Sequence, residues 1–237
     1  MITAENILTV EPQVKLIAHT QLVHDNDDPV LKEFMEIDSD ATDSETLIEF
    51  AGRSCYESYH KPNPKTAKNA DYIERTIFEQ KHGSIAEHAT AVVYMTGISR
   101  ACTHEIVRHR HAGYSQLSQR FVDESSTAIV LPPAVRGNEE LERIVKEQSA
   151  SSLQSYNDLV ESLLSQGLPR KQAREAARSV LPNAVETKLV MSGNMRAWTE
   201  IINRRTAPDA DAEIQQVMRM VKEELQKVSP VIFKDGR

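Results

Sequence analysis

The sequence predicts an α/β (mixed α+β) protein with a central mixed sheet flanked by helices in a single domain. Two observations predict this fold. Segments rich in β-branched residues, which are typical of strands, alternate along the chain with amphipathic segments of helical periodicity. No repeat, low-complexity tract or linker interrupts the 237 residues, a length that one generous domain can fill. We therefore expect one domain over residues 1–237.

Local patterns predict each element. Val14–Ala18 and Ala91–Ile98 have the composition of strands, and Ser99 can cap a helix that follows the second of them. The acidic segments 24–29 and 38–40 are expected to be solvated loops. In chain order the predicted elements are strand Val14–Ala18, a helix from Ser44 to Cys55 or Tyr56, a helix from Asn69 or Asp71 to His82, strand Ala91–Ile98, a helix from Ser99 to Arg108 or slightly beyond, strands Arg120–Val122 and Thr127–Leu131, helices Glu139–Ser165 and Arg170–Val180, strand Thr187–Met191, and helices Asn194–Arg205 and Ala210–Val228.

The overall charge limits the possible partners. Lys and Arg number 28 against 35 Asp and Glu, which gives a formal net charge of −7. Proteins that neutralise many phosphates usually carry a net basic surface, so we expect neither a nucleic-acid binder nor a binder of anionic membranes. The chain has two cysteines, no apolar leader in its first thirty residues and no apolar stretch of membrane-spanning length. We therefore expect a cytoplasmic location.

Any nucleotide must be bound through side chains, because the eight glycines form neither GxGxxG nor GxxxxGK[ST]. Three arginine clusters could serve. In the first, helical spacing would place Arg100, His104, Arg108 and His111 on one face, which would repel itself unless an anion lay along it. The ordinary alternative for each cluster is a solvated basic face. The second and third clusters are Arg170, Arg174 and Arg178, and Arg196, Arg204 and Arg205.

Other chemistries have weaker support. The segment His104–His109 comes close to the zinc motif HExxH, but its second histidine is one residue too late, and the neighbouring arginines would repel a cation. We expect no metal. Residues 99–120, which we call the basic segment, carry four arginines and three histidines against one acid. Cys102 lies inside this segment and could be a nucleophile, although a free cysteine is more commonly a small buried residue. Ser115 and Ser118 lack the GxSxG setting of a nucleophilic serine.

The segment Arg108–Phe121 strongly resembles the signature of the flavin-dependent thymidylate synthases: Arg-His-Arg, two residues, Ser, four residues, Ser, one residue, Arg and an aromatic. The resemblance covers most of residues 46–228 in the right order, whereas residues 1–45 match less well. The other matching segments are His82–Ser84 with Glu87 and His88, Gly97–Arg100, Arg178 before Leu181–Asn183, and Gly193–Arg196 through Arg205.

This resemblance implies a reaction and an assembly. NADPH would reduce FAD, methylenetetrahydrofolate would supply a one-carbon unit to C5 of dUMP, and the reduced flavin would supply the hydride that completes dTMP. Members of the family need no covalent attack by a cysteine. They form homotetramers in which several subunits build each active site around FAD, so the expected partners are copies of this chain and small molecules.

The resemblance also assigns residues by position. Arg205 would be the catalytic residue, because a guanidinium beside N3 of the uracil ring stabilises the ionised ring and makes C5 more nucleophilic. The residues implied to bind the flavin are Ser84, Arg108, His109, Arg110, Gln116, Asn194, Met195, Arg196 and, near the flavin and folate rings, His82. The residues implied to bind dUMP are Glu105, Arg108, Gln116, Leu117, Ser118, Gln119, Arg120, Arg178 and Arg205.

Two positions depart from the family pattern. Gly113 replaces the first serine of the signature, so its hydrogen bond must be absent or supplied by Tyr114 or Ser115. Glu200 occupies a position where relatives carry a flavin-contacting His or Asn, and a carboxylate cannot donate a hydrogen bond unless it is protonated. Two rival interpretations therefore stay open: a non-catalytic nucleotide-binding protein whose flavin site is disabled, and a metal hydrolase built on His104, Glu105 and His109.

Overall fold

The computed structural model describes residues 2–24, 27–36 and 41–236. Its centre is one four-stranded sheet with strand order β1-β2-β4-β3. The strands are β1 (Gln13–His19), β2 (Thr90–Ser99), β3 (Gly113–Gln116) and β4 (Glu186–Asn194). The helices are α1 (Pro29–Glu36), α2 (Asp43–Ser54), α3 (Asn69–Ile73, continued by a wide π-helical turn Glu74–Glu79), α4 (Arg100–Ile106), α5 (Glu139–Ser165), α6 (Arg170–Ala177), α7 (Met195–Arg205) and α8 (Ala212–Gln226).

The mixed α/β prediction is confirmed, but the prediction of a mixed sheet is wrong. All three strand pairs of the sheet, β1 with β2, β2 with β4 and β3 with β4, are antiparallel. A parallel pair would need a crossover connection between neighbouring strands. Here the chain between β2 and β4 passes through α4, β3, α5 and α6 and returns in the opposite direction. Across the residues that the structure describes, no helix is long and apolar enough to span a bilayer.

Several elements differ from those predicted. Arg120–Val122 forms a turn, in which Phe121 and Val122 donate backbone hydrogen bonds to the carbonyl of Ser118, and the segment Thr127–Leu131 contributes only isolated bridges at Ile129. Helix α1 lies between the two predicted loops, in a region where we predict no helix. Of those loops, residues 25–26 and 37–40 lie outside the described residues.

The core lies between the sheet and two helices of the C-terminal part of the chain. Val93 and Leu189, from the two central strands, are fully buried in one cluster with Trp198 of α7 and Val217 of α8. The indole N–H of Trp198 donates to the carbonyl of Ala91 at 3.2 Å, so this large side chain buries no unpaired donor. Because α7 is fixed against β2 in this way, the arginines at its ends are held in defined positions.

Gly97 of β2 has a left-handed backbone conformation and lets the segment that leads into β1 pass close to it. Gly97 has φ of +65°, at a point where the pairing of β2 with β4 shifts register between Met95 and Ile98. A Cβ atom at this position would lie 2.0 Å from the carbonyl oxygen of Glu11. Only glycine therefore suits both the backbone conformation and the close approach of the segment that leads into β1.

The segment after α8 packs against the start of α2. The hydroxyl of Thr42, which caps α2, donates to the carbonyl of Val228 at 2.8 Å. The buried carboxylate of Glu45 accepts a hydrogen bond from the backbone N–H of Val231 at 2.7 Å. The N-terminus of α2 is thus closed by residues of the C-terminal segment, and Phe233 of that segment is also buried.

We expect Glu45 to make stability depend on pH. Burial raises the pKa of its carboxyl to about 7 from a usual value of 4.5, against the opposing hydrogen bonds from Val231 and Ile232. Because the folded pKa is the higher one, the folded state binds more protons, and stability falls as pH rises from about 4.5 to 7. The loss should reach at most about 3 kcal/mol.

Urea unfolding of Glu45→Gln at pH 5 and pH 8 tests this expectation. The variant keeps one acceptor oxygen but cannot ionise, so it should be more stable than the wild type at pH 8 and gain no advantage at pH 5. The exposed residue Glu161 offers a control, Glu161→Gln, which should show no such difference. A stability gain for Glu45→Gln that is equal at both pH values would contradict the assignment.

Candidate functional site

Helix α4 begins at a buried polar cap. The hydroxyl of Ser99 accepts the backbone N–H of Cys102 at 3.0 Å and donates to the carboxylate of Glu213 at 2.6 Å. The same carboxylate accepts the backbone N–H of Ser99 at 2.8 Å. Since Glu213 belongs to the first turn of α8, the start of α4 is fixed to another helix rather than only to its own strand.

The helix ends at Ile106, so the basic residues after it do not share its face. Val107 forms the C-cap, and the next residues leave the helix axis. The expectation that Arg108 and His111 lie on one helical face with Arg100 is therefore wrong. The hydroxyl of Tyr114 holds the segment after this end, because it is shared between the carbonyls of His109 at 2.7 Å and Ile106 at 3.1 Å; the Ile106 carbonyl also accepts the backbone N–H of His109 at 3.3 Å.

Removing the hydroxyl of Tyr114 should destabilise the basic segment. We expect Tyr114→Phe to lower the free energy of unfolding by about 1–2 kcal/mol, because the carbonyl of His109 loses its donor, whereas that of Ile106 keeps the backbone N–H of His109. The matched control is Tyr94→Phe, since the half-buried Tyr94 makes no hydroxyl hydrogen bond in the described part of the chain. Denaturant unfolding measures both variants. Equal losses of unfolding free energy would mean that the Tyr114 hydroxyl contributes no more to stability than the hydroxyl of Tyr94.

Arg205, at the end of α7, is held by two residues from the basic segment. Its Nη1 lies 2.8 Å from a carboxylate oxygen of Glu105, and its Nη2 lies 2.8 Å from the Glu105 carbonyl oxygen. Its Nε donates to Nε2 of His109 at 2.9 Å. The structure thus brings together three residues that we predict for the site, although about 100 positions separate Arg205 from the other two.

The imidazole of His109 is held in its neutral form. Its pKa is lowered by burial first, and then by the positive charges of Arg205 and Arg204, while Glu105 opposes the change. A neutral imidazole can accept the hydrogen bond from Nε of Arg205 at Nε2 only if its own proton is on Nδ1. The geometry therefore fixes the tautomer.

Two adjoining cavities lie beside this cluster. The first, of about 310 Å³, is lined by the side of α7 that carries Arg196 and Glu200, together with His111 and Glu87. The second, of about 280 Å³, continues along Glu200 to the basic segment. Its lining residues are Arg108, His109, Arg110, His111, Ala197, Glu200, Ile201 and Arg204. We call the two together the basic cleft.

Few acidic side chains neutralise the arginines of the basic cleft. Arg110 and Arg204 form no ion pair within the described ranges, and Arg108, which is exposed, approaches Glu105 no closer than 3.9 Å. Guanidinium groups in this state are suited to an anionic ligand with several oxygen atoms. The donor set therefore fits a ligand that carries phosphates or carboxylates.

One arginine of the cleft is already paired. Arg196 lies between two carboxylates, with Nη1 at 2.6 Å from Glu87 and Nε at 3.1 Å from Glu200. Glu87 belongs to the short 3₁₀ turn Gly83–Glu87, which also carries the exposed Ser84 and follows His82. A ligand that uses Arg196 must therefore compete with two acids.

The residues at the β4–α7 junction differ in what they can offer. The side chain of Asn194 caps α7 by accepting the backbone N–H of Ala197 at 2.8 Å, and it also lines the cleft. The side chain of Met195 is fully buried in the core. Its backbone N–H donates to the carbonyl of Ala89 at 2.9 Å, and its carbonyl accepts the hydroxyl of Thr199 at 2.8 Å. Neither the thioether nor the backbone of Met195 is therefore open to a ligand in this structure.

The second group of predicted residues lies on α6 and the turn after β3. Arg120 pairs with Glu175 at 2.9 Å, and Arg174 pairs with Asp123 at 2.6 Å. The middle arginine of the second cluster is therefore part of a fixed contact between α6 and the turn, not of a solvated face. Exposed Arg178 begins the 3₁₀ turn that ends α6.

The segment between β3 and this turn is anchored at both sides. The amide nitrogen of Gln116 donates to the hydroxyl of Thr103 at 2.9 Å, and the carbonyl of Leu117 accepts Nη2 of Arg100 at 2.8 Å. Arg100 also lies near the buried carboxylate of Glu124 and near Arg178. Ser118 and Gln119 follow within the same half-buried stretch.

Sequence reasoning missed several contributors to this site. Glu87 lines the basic cleft and Tyr114 shapes its basic segment, yet neither is among the residues predicted to bind FAD or dUMP. Arg204 and His111 also line the cleft, and the sequence marks them only as members of two basic clusters. The position of Tyr114 inside the signature was the available signal. Nothing local marks Glu87, whose partner Arg196 lies 109 positions later.

The structure explains why glycine occupies position 113. It faces Ser192 across the β3–β4 pair, and a Cβ atom at position 113 would lie 2.7 Å from the hydroxyl oxygen of Ser192. The hydroxyl of Tyr114 is engaged with backbone carbonyls and does not replace a serine there. A side chain at position 113 would thus require Ser192 to move.

Two alternative chemistries lack support. Glu105 and His109, the possible metal ligands, are both bound to Arg205, and the described residues contain no group of three or more metal-ligating side chains. Cys102 is buried as expected, and burial raises the pKa of its thiol, with the negative charges of Glu213 and Asp211 adding to the rise. It is therefore not poised to be a thiolate.

Known proteins resemble the chain over nearly its full length. The thymidylate synthase complementing protein family matches residues 38–231. The flavin-dependent thymidylate synthase of Mycobacteroides abscessus is 46% identical over 230 residues, which cover 94% of this chain and 89% of that protein. The flavin-dependent thymidylate synthase of Mycobacterium tuberculosis is 43% identical over 234 residues, which cover 96% and 90%.

A solved structure has the same fold. Thymidylate synthase X from Helicobacter pylori, crystallised with FAD and dUMP, superposes with a TM-score of 0.64 and covers 95% of this chain and 98% of that chain. The two sequences are 19% identical, so this likeness speaks to the fold alone.

Proposed function

Because this chain belongs to the family of flavin-dependent thymidylate synthases, we propose that it converts dUMP to dTMP with methylenetetrahydrofolate as one-carbon donor. It is a flavin-dependent enzyme, and NADPH reduces its FAD in this proposal. The observation that carries the proposal is the cluster in which Glu105 and His109 hold Arg205 beside the basic cleft.

The residues of the basic cleft fit FAD. Its diphosphate needs several cationic donors, and Arg108, Arg110 and Arg204 offer guanidinium groups that have no close acidic partner in the described structure. Bound FAD, once reduced, supplies the hydride of the reaction. The residues that would hold it are Ser84, Arg108, His109, Arg110, Gln116, Asn194 and Arg196, with His82 near the flavin and folate rings.

Arg205 would act on the uracil ring. Its guanidinium is only 13% exposed, so its charge is weakly screened by water. Placed beside N3 and a flanking carbonyl, it stabilises negative charge on the ring and raises the nucleophilicity of C5. No cysteine is needed for this activation, which agrees with the buried thiol of Cys102.

The remaining predicted residues would bind dUMP around this ring. Arginines 120 and 178 suit its phosphate, whereas the amides of Gln116 and Gln119 suit the edge of the pyrimidine. The carboxylate of Glu105 accepts from Nη1 of Arg205 and its backbone carbonyl accepts from Nη2, so the ring would use the second N–H of each terminal nitrogen. The complete proposed dUMP set is Glu105, Arg108, Gln116, Leu117, Ser118, Gln119, Arg120, Arg178 and Arg205.

We also propose that a homotetramer completes the site. Arg108 and Arg110 are exposed in the basic cleft, whereas Arg120 and Arg178 lie against α6. The family resemblance implies that neighbouring subunits supply the facing groups. Light scattering of the purified protein tests this arrangement, and a monomeric active enzyme would contradict it.

A visible absorption spectrum with and without dUMP tests the proposed function. The protein should purify with, or take up, FAD, and dUMP should perturb the flavin band because both ligands share one site. With NADPH and methylenetetrahydrofolate it should then form dTMP. A colourless protein that binds dUMP would instead favour the non-catalytic nucleotide-binding alternative, since Glu87 and Glu200 compete for Arg196.

A further inference from the structure

Arg205 has one hydrogen bond that leaves its terminal nitrogens free for the substrate. Its Nε, which carries a single N–H, donates to Nε2 of His109 at 2.9 Å. Nη1 and Nη2 donate to the side-chain carboxylate and the backbone carbonyl of Glu105, and each carries a second N–H that can serve the uracil ring. When the ring takes those N–H groups, the bond from Nε to His109 continues to fix the plane of the guanidinium.

We propose that His109 is a positioning residue that orients Arg205 through its unprotonated Nε2. This inference rests on the proposed function and adds a role that direct flavin contact would not require. The backbone of His109 is itself fixed, because its carbonyl accepts the phenol of Tyr114 at 2.7 Å. A fixed acceptor at Nε thus orients a guanidinium whose terminal nitrogens must also serve the ring.

The surrounding charges keep the acceptor available. Burial lowers the pKa of His109 most, and the positive charges of Arg205 and Arg204 of α7 lower it further, whereas Glu105 of α4 opposes the change. Arg108 and Arg110 line the same cavity as His109 and bring further positive charge to it. Protonation would remove the acceptor and place two cations in contact, so turnover should fall below the pH at which His109 becomes charged.

Two substitutions separate positioning from bulk. The side chain of His109→Gln can present an oxygen near the position of Nε2 but cannot titrate at these pH values, whereas His109→Leu fills space without an acceptor. The exposed His104, on the neighbouring helix α4, gives the control His104→Gln. Flavin occupancy is read from the visible spectrum of each variant, and turnover is compared at equal occupancy and saturating dUMP.

We expect His109→Leu to lower kcat about 100-fold, as misplacement of a reacting group does, with His109→Gln recovering most of that loss. The fall of kcat at acidic pH should vanish in His109→Gln and persist in His104→Gln. If His109→Gln is no better than His109→Leu at equal flavin occupancy, or if its acidic limb is unchanged, the inference is wrong.

A measurement that does not depend on turnover distinguishes this inference from the proposed function. Nuclear magnetic resonance of histidine-labelled protein should show His109 with an unprotonated Nε2, and Arg205→Leu should raise the pKa of His109. A wild-type protein that fails to form dTMP contradicts the proposed function, whereas an unchanged His109 resonance in Arg205→Leu overturns the positioning role.

Discussion

Arg205→Ala should reduce dTMP formation about 1,000-fold while changing flavin affinity by less than about tenfold, since loss of one preorganised charge donor has an effect of this size on the chemical step. The guanidinium contacts Glu105 and His109, but it does not line either cavity of the basic cleft. Steady-state turnover and flavin titration measure the two quantities separately.

The neighbouring arginine offers a complementary variant. Arg204 lines the basic cleft, so Arg204→Ala should weaken flavin binding more than it lowers turnover of the loaded enzyme. The two adjacent substitutions thus have opposite expected patterns. Equal loss of flavin binding and turnover in Arg205→Ala would indicate that Arg205 is structural.

Gly97→Ala should destabilise the fold by at least about 3 kcal/mol, because it combines a disfavoured left-handed conformation with a backbone clash. The new Cβ would lie 2.0 Å from the carbonyl oxygen of Glu11, which cannot move without disturbing the entry to β1. Since domains of this kind are stable by only about 5–15 kcal/mol, much of the protein should be insoluble on expression.

A second left-handed glycine gives the matched control. Gly137 has φ of +79°, yet a Cβ atom there would meet nothing within 4 Å. Gly137→Ala should therefore lower the unfolding free energy only by the conformational term, about 1–2 kcal/mol. Similar unfolding midpoints for the two variants would show that the close approach at Gly97 is unimportant.

Local sequence patterns predicted the long elements well. Helices α5 and α7 and the central strands have clear periodicity or composition and lie close to their expected positions. Helix α1 was missed although Asp28 caps it by accepting the backbone N–H groups of Val30 and Leu31. That capping signal was present in the sequence but was outweighed by the acidic residues around it.

Tertiary contacts decided the remaining differences. Strand β3 has neither alternation nor β-branched residues, and it exists because it pairs with β4. Helix α4 stops at Ile106 without a glycine or proline, and the residues after it are held by the hydroxyl of Tyr114. Such contacts leave no periodic signal in the sequence.

The candidate site shows the same division. The resemblance identified Glu105, His109 and Arg205 as site residues, but it did not predict that they hydrogen-bond to one another across about 100 positions. Nor did it predict that Met195 turns its side chain into the core or that Glu87 shares Arg196 with Glu200. Residue identity follows from a motif, whereas mutual geometry follows from packing.

The closure of α2 by the C-terminal segment bears on how the protein is made. Synthesis proceeds from the N-terminus, so Thr42 and Glu45 leave the ribosome long before Val228 and Val231, their partners. The start of α2 consequently stays incomplete on the nascent chain until residues 228–231 have left the ribosome. A prematurely terminated chain would expose this unfinished helix and the apolar surface that Phe233 covers, which makes it a ready substrate for chaperones and proteases.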